Sequence, residues 1–233
     1  MADISYARRR GELKTYFDRT AVEAWSRLTS DAPVSGIRAT VRAGRVAMRE
    51  TLLGWLPDDL GGARILDAGC GTGALAVAAA LRGADVVAID LSPTLVALAQ
   101  DRAPRDLRRG SIRFHSGDML DPALGRFDHV VAMDSLIHYE AADIVGVLAG
   151  LASRTRASML ITFAPRTPAL ALMHLVGRAF PRADRAPAIE PVSENGLARQ
   201  IRLEPGLAAW QPARTRRISS AFYKSQALEL VRS

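Results

Sequence analysis

LDAGCGTGAL, residues 66–75, joins a short apolar run, ARIL, to an alanine-rich one, ALAVAAAL. Gly69, Gly71 and Gly73 fill the junction. Glycine lets the backbone turn tightly and lets a ligand approach where a Cβ would block it. The run before the glycines has the length and composition of a buried strand. The run after them reads as a helix whose first N–H groups face the turn. A strand, a glycine turn and a helix in that order form the nucleotide-binding corner of an α/β fold.

The same rhythm continues downstream. ADVVAIDLS reads as a second strand ending at Asp90, and PTLVALAQDRA as a helix with Ser92 at its N-cap and Pro93 at its first position. SIRFHSGDM and FDHVVAMDSL read as strands, AADIVGVLAGLASR as a helix and ASMLITFAP as a fifth strand. Such alternation predicts a parallel sheet covered on both faces. SENGLARQI reads as a last helix, and TRRISSAFYKSQALELVRS as two strands around a turn near Tyr223–Ser225. Upstream, residues 5–56 read as helical: one helix over Tyr16–Leu28, a break over Ser30–Gly36, and a second helix from Ile37 to Leu56. The expected organisation is a helical cap over 1–60 and an α/β domain over 61–233, with a substrate-side insertion over 165–191.

The 233 residues are 48% hydrophobic and 24% charged, proportions of a globular chain rather than a disordered or fibrous one. Cys70 is the single cysteine, so no internal disulfide forms. No uncharged apolar run reaches membrane-spanning length, and the start MADISYARRRGELK has no secretory h-region, so a cytoplasmic location is expected. The formal charge is +7, and all but Lys14 and Lys224 of the 31 basic residues are arginines. They are dispersed, with no aromatic interleaving or zinc-finger spacing, which argues against nucleic acid. Arginine does suit a carboxylate, because its planar fork makes two parallel hydrogen bonds. Four scattered histidines and one cysteine offer no metal site held by the protein, and His115, His129 and His174 read as packing residues.

Gly69-x-Gly71-x-x-Ala74 also satisfies the dinucleotide fingerprint, and Asp90 lies where an acid takes ribose hydroxyls, so spacing alone leaves NAD open. Three features weigh against it. Asp67 stands just before the glycines, where a carboxylate suits a cationic ligand rather than a pyrophosphate. Asp118 follows the third strand, where it can read an adenine amine. About 60 residues precede the first strand.

With Asp67–Gly73, Asp90, Gly117-Asp118 and FDHVVAMD in this order, the chain resembles the class I S-adenosylmethionine-dependent methyltransferases. The resemblance implies a Rossmann-like, mostly parallel seven-stranded sheet ending in an antiparallel hairpin. It implies that Gly69, Gly71 and Gly73 lie against the methionine moiety and ribose, that Asp90 with Leu91 takes the ribose hydroxyls, and that Asp118 and Met119 frame the adenine. Asp67 lies near the amino-acid end, and Asp134 completes the cofactor set.

A closer resemblance covers nearly the whole chain. YFDRT (Tyr16–Thr20) with Trp25, Ile37–Arg45, LLGWLP, DSLIHY (Asp134–Tyr139), FAPRT (Phe163–Thr167) and RAFPR look like the magnesium-protoporphyrin IX O-methyltransferases of chlorophyll and bacteriochlorophyll synthesis. Some members carry a tyrosine where this chain has Thr29, so any role of that tyrosine does not carry over. The likeness implies methylation of a propionate of magnesium-protoporphyrin IX, receipt of that substrate from the magnesium chelatase large subunit, and weak peripheral contact with a membrane. It makes His138 and Tyr139 the expected catalytic residues. Tyr16, Trp25, Arg38, Arg42, Arg45 and Arg166 are the expected acceptor-binding residues, and Leu170–Val176 helps form an apolar slot. A quinone or phenolic acceptor is the alternative.

Overall fold

Alternation along a strand sends successive side chains to opposite faces, and here both faces are apolar. A computed structural model describes residues 2–19, 36–166, 188–220 and 222–233. Among them β1 (Arg64–Ala68), β2 (Asp85–Asp90), β3 (Ser111–Ser116), β4 (Phe127–Ala132), β5 (Thr155–Phe163), β6 (Trp210–Ser220) and β7 (Tyr223–Arg232) form one sheet in the order β3-β2-β1-β4-β5-β7-β6. The first five strands pair in parallel, and β7 runs antiparallel to both β5 and β6.

Ile65, Val86, Val131 and Leu160 face one layer with α2 (Gly36–Leu53) and α3 (Ala74–Leu81). Leu66, Val87, Val130 and Ile161 face the other, with α1 (Ala2–Arg19), α5 (Ala141–Ala152) and α6 (Glu194–Leu203). The helical lead-in is therefore divided: Tyr6 and Leu13 of α1 join one core, Met48 and Leu52 of α2 the other. Helix α4 (Pro93–Arg102) begins as its sequence predicts, with Ser92 Oγ accepting from the Leu95 N–H at 3.2 Å and Pro93 in the first turn.

Three expectations shift. The first helix covers Ala2–Arg19, beginning three residues before the expected helical region over 5–56; of the Tyr16–Leu28 segment, residues 20–28 with Trp25 lie outside the described residues, as does Thr29. Helix α2 stops at Leu53, where Gly54 and Trp55 turn back onto the carbonyls of Glu50 and Leu52. The C-terminal turn is tighter than Tyr223–Ser225: Ser220 pairs with Tyr223, so those residues belong to β7. His174 and the segment Leu170–Val176 lie outside the described residues.

Strand order reverses between β1 and β4. Open α/β sheets bind ligands at such a point, beyond the carboxyl ends of the strands.

Candidate active site

A cavity of about 230 Å³ opens there, room for far more than the single water that occupies about 30 Å³. Its floor is the glycine turn. Gly69 and Cys70 donate their N–H groups to the Ile89 carbonyl at 2.8 and 2.9 Å, which ties the turn to the end of β2. Gly69 has φ +86°, and a Cβ there would lie 2.3 Å from the Ser135 Cβ, so the loop after β4 requires glycine. Gly71 has φ +53°, and a Cβ there would meet nothing within 4 Å. The cradle is open on that side, and the backbone conformation itself favours glycine.

Asp90 closes the far wall. Its Oδ2 accepts from Gly71 N–H and its Oδ1 from Ser92 N–H, both at 2.9 Å. Burial raises its pKa against the lowering pull of these donors. Asp67 is in deeper difficulty. It is 1% exposed, receives the Ala76 N–H, and its Oδ2 has no partner. Burial pushes its carboxyl up to about 7, with the nearby Asp90 adding to the rise. A buried, half-satisfied carboxylate beside an open cradle fits the ammonium of an amino-acid ligand. Burial and the same two acids hold the Cys70 thiol protonated, so it supplies no nucleophile.

One wall of the cavity is cationic. Arg42, Arg45 and Arg49, successive turns of α2, line the cavity. Arg45 Nη1 lies 2.7 Å from Asp134 Oδ2. Asp134 is a non-glycine residue at φ +54°, and its side chain is 4% exposed. Tyr223 OH stands 3.0 and 3.1 Å from its two oxygens, and Ser225 Oγ and Thr162 Oγ1 each donate to Oδ1 at 3.3 Å. This assembly is drawn from α2, β4, β5 and β7, and the sequence reading found only two of its members.

His138 ends the 3₁₀ turn Leu136–His138 and lines the same cavity. Its Nδ1 lies 3.2 Å from the Ala188 carbonyl, which can only accept, so Nδ1 carries a proton in that contact. Tyr139 also lines the cavity but is 2% exposed and stacks on Tyr6 at 5.3 Å. Burial and nearby Asp118 raise its phenol well above the ordinary value, so it holds its proton.

Helix α1 roofs the cavity with Leu13 and Phe17. It is fastened by groups the sequence reading did not single out. Tyr6 OH donates to Asp118 Oδ1 at 2.7 Å, and Arg10 Nη1 bonds Asp118 Oδ2. Ser92 Oγ donates to Asp18 Oδ1 at 2.6 Å, and Arg9 pairs with Glu190 at 2.9 Å. Met119 and Gly117 line the cavity, and Asp118 between them is held by α1. Tyr6 and Arg10 are spaced i, i+4 on a helix, which is the one signal that paired them. Leu91 lines the cavity as well. Arg38 and Arg166 are exposed and stand outside the lining, and half-buried Tyr16 packs edge-on against Phe17 at 5.3 Å.

Comparison with known proteins finds relatives over nearly the whole chain. A family model described as magnesium-protoporphyrin IX methyltransferase C-terminus matches residues 132–232, and a general methyltransferase-domain model matches residues 65–157. The magnesium-protoporphyrin O-methyltransferase of Rhodobacter capsulatus is 49% identical over 96% of this chain and 97% of its own length. Its counterpart in Synechocystis is 31% identical over 95% of both chains. The crystal structure of magnesium protoporphyrin IX methyltransferase from Synechocystis with bound SAH superposes with a TM-score of 0.82 at 30% identity, covering 96% of this chain and 99% of that one.

Proposed function

The chain belongs to the magnesium-protoporphyrin IX methyltransferase family, and from that membership we infer that it methylates one propionate of magnesium-protoporphyrin IX, giving the monomethyl ester. The donor is S-adenosylmethionine, whose bound sulfonium supplies the electrophilic methyl. The observation that carries the cofactor's orientation is the orphaned Oδ2 of Asp67 beside the open side of Gly71. Asp67 would take the ammonium, Asp90 the ribose hydroxyls, and Gly117 with Met119 the adenine face.

The acceptor is an apolar ring with two carboxylates, and each part has a counterpart on this chain. Leu13, Phe17, Val46 and Met133 give the cavity apolar wall, and the arginines of α2 give it cations. A propionate is already ionised at pH 7, so no strong base is required. The chain's work is alignment and exclusion of water, with α1 as the roof. His138 lines the cavity with its Nδ1–H on the Ala188 carbonyl, a bond that fixes the orientation of the ring. It is placed to orient the propionate, to take a stray proton or to touch the substrate's magnesium. A phenol would need a base in every turnover, whereas an ionised propionate does not. Tyr139 serves by packing under Tyr6.

No described helix is long and apolar enough to cross a membrane. Phe222 and Ile37, 67% and 56% exposed, stand with Arg38 and Arg166 at the carboxyl rim of the sheet. That mixture supports weak peripheral contact with an anionic lipid surface, and the poor water solubility of the ring supports direct receipt from magnesium chelatase. The deciding experiment incubates the protein with S-adenosylmethionine and magnesium-protoporphyrin IX and resolves products by mass. One added methyl, lost on saponification, is the expected result. Donor binding without product would leave the fold and cofactor reading standing and remove the acceptor.

A further inference from the structure

We propose that Tyr223 is a positioning residue for acceptor binding: its hydroxyl, set against Asp134, weakens that carboxylate's hold on Arg45, so that the guanidinium at the cavity wall receives the acceptor's carboxylate. The proposal rests on the reading of Arg45 given above.

Tyr223 meets the carboxylate of the ion pair and the helix that carries its guanidinium. Its ring lies so close to Gly44, the residue before Arg45, that a Cβ at Gly44 would come within 2.4 Å of Tyr223 Cδ1. Helix α2 therefore rests on the ring at the point where Arg45 leaves it. The hydroxyl reaches across to Asp134, 3.0 Å from Oδ1 and 3.1 Å from Oδ2. One rigid side chain thus sets the spacing between α2 and the loop after β4.

The charge arrangement explains why spacing matters. Asp134 is almost fully buried, and a buried carboxylate with one cationic partner would hold it tightly. Here hydroxyls of Tyr223, Ser225 and Thr162 share its charge. Thr162 Oγ1 also accepts the Asp134 N–H at 2.7 Å, which helps hold the residue at a φ that L side chains seldom adopt. Every hydroxyl bond to Asp134 reduces what Arg45 must supply, and Arg45, 23% exposed, sits on the cavity side of the pair. Burial and Asp134 raise the Tyr223 phenol far above its ordinary value, so it remains a donor at any working pH.

The test is Tyr223→Phe, which keeps the ring under Gly44. Binding is measured by Soret titration with magnesium-protoporphyrin IX, which carries two carboxylates, and with its dimethyl ester, which carries none. Donor affinity and melting temperature are measured beside them. The variant is expected to weaken binding of the diacid about three- to ten-fold, with the diester and the donor unchanged. In an Arg45→Gln background the same change is expected to have no further effect. Equal weakening of diacid and diester would assign Tyr223 to packing alone and overturn the proposal, as would an undiminished effect in the Arg45→Gln background. Arg45→Gln on its own tests the underlying reading: an unchanged preference for the diacid would remove Arg45 from the acceptor site, whatever Tyr223 does. Ser225→Ala removes a donor from the same carboxylate without touching Gly44, and is expected to shift the diacid in the same direction by less. No shift of the diacid in Tyr223→Phe would overturn the proposal, whatever Ser225→Ala does.

Discussion

Replacing Asp67 by asparagine should make the cofactor-free protein more stable and the enzyme worse. The carboxyl is pushed from its ordinary 3.8 up to about 7, first by burial. An acid with a raised pKa binds its proton more tightly folded than unfolded. Its favourable contribution is complete below about pH 3.8, erodes as pH rises, and is lost above about 7. The interval corresponds to a penalty of about 4 kcal/mol at pH 8 and under about 2 kcal/mol at pH 5. An amide incurs none of it and still accepts from the Ala76 N–H. Asp67→Asn should therefore raise the melting temperature at pH 8 by up to roughly 10 °C, and by less than half of that at pH 5.

Donor affinity should move the other way. In the parent chain it should fall about ten-fold per pH unit below 7, as Asp67 protonates, and fall again above about 8, where an α-amino group loses its proton. The variant should lose the acid limb and bind at least about ten-fold more weakly at pH 7.5. Calorimetry for binding and scanning fluorimetry for melting, across pH 5 to 9, settle it. A variant no more stable than the parent at pH 8, or one with the same gain at both pH values, would refute the reasoning.

Gly71→Ala should cost about 1 kcal/mol in stability from its positive φ. It should cost more in donor affinity, because its methyl enters the open side of the cradle; melting and calorimetry separate the two. His138→Ala should lower turnover by about 10- to 100-fold while donor affinity, measured by calorimetry, stays put; full turnover would remove His138 from the chemistry. Tyr6→Phe deletes the hydroxyl on Asp118 and should speed hydrogen exchange in α1 about ten-fold or more, with α5 as the internal control. Phe222→Ser should reduce co-sedimentation with anionic vesicles and leave turnover in detergent unchanged.

The glycine turn and the strand–helix rhythm were legible because their signals are local: Gly69, Gly71 and Gly73 lie within five residues, between one strand and one helix. Helical character from residue 5 was legible, but what fastens the first helix was not, because its polar ties are long-range. ADISYARRRGELK has no apolar stripe, and it is held by Tyr6, Arg9 and Arg10 on Asp118 and Glu190, partners more than a hundred positions away. The hairpin turn was misread because hydropathy is inverted there: Phe222 is exposed, whereas Ser225, Gln226 and Glu229 are buried in β7. His138 was found from its place after the fourth strand. The Arg45–Asp134–Tyr223 group was not, since no spacing in a sequence shows that a helix, a loop and a C-terminal strand share one carboxylate.

The hairpin's meeting with α2 also bears on how the chain comes off the ribosome. Ser220 Oγ donates to the Thr40 carbonyl at 3.2 Å across 180 positions. At about 5–20 residues per second, that interval corresponds to roughly 10–40 s of synthesis. Throughout it, the helix carrying Arg42 and Arg45 has emerged and the strand it rests on has not. The glycine turn and its acids lie within the first half of the chain, whereas the wall that carries Arg45 is complete only when the C-terminal hairpin has arrived.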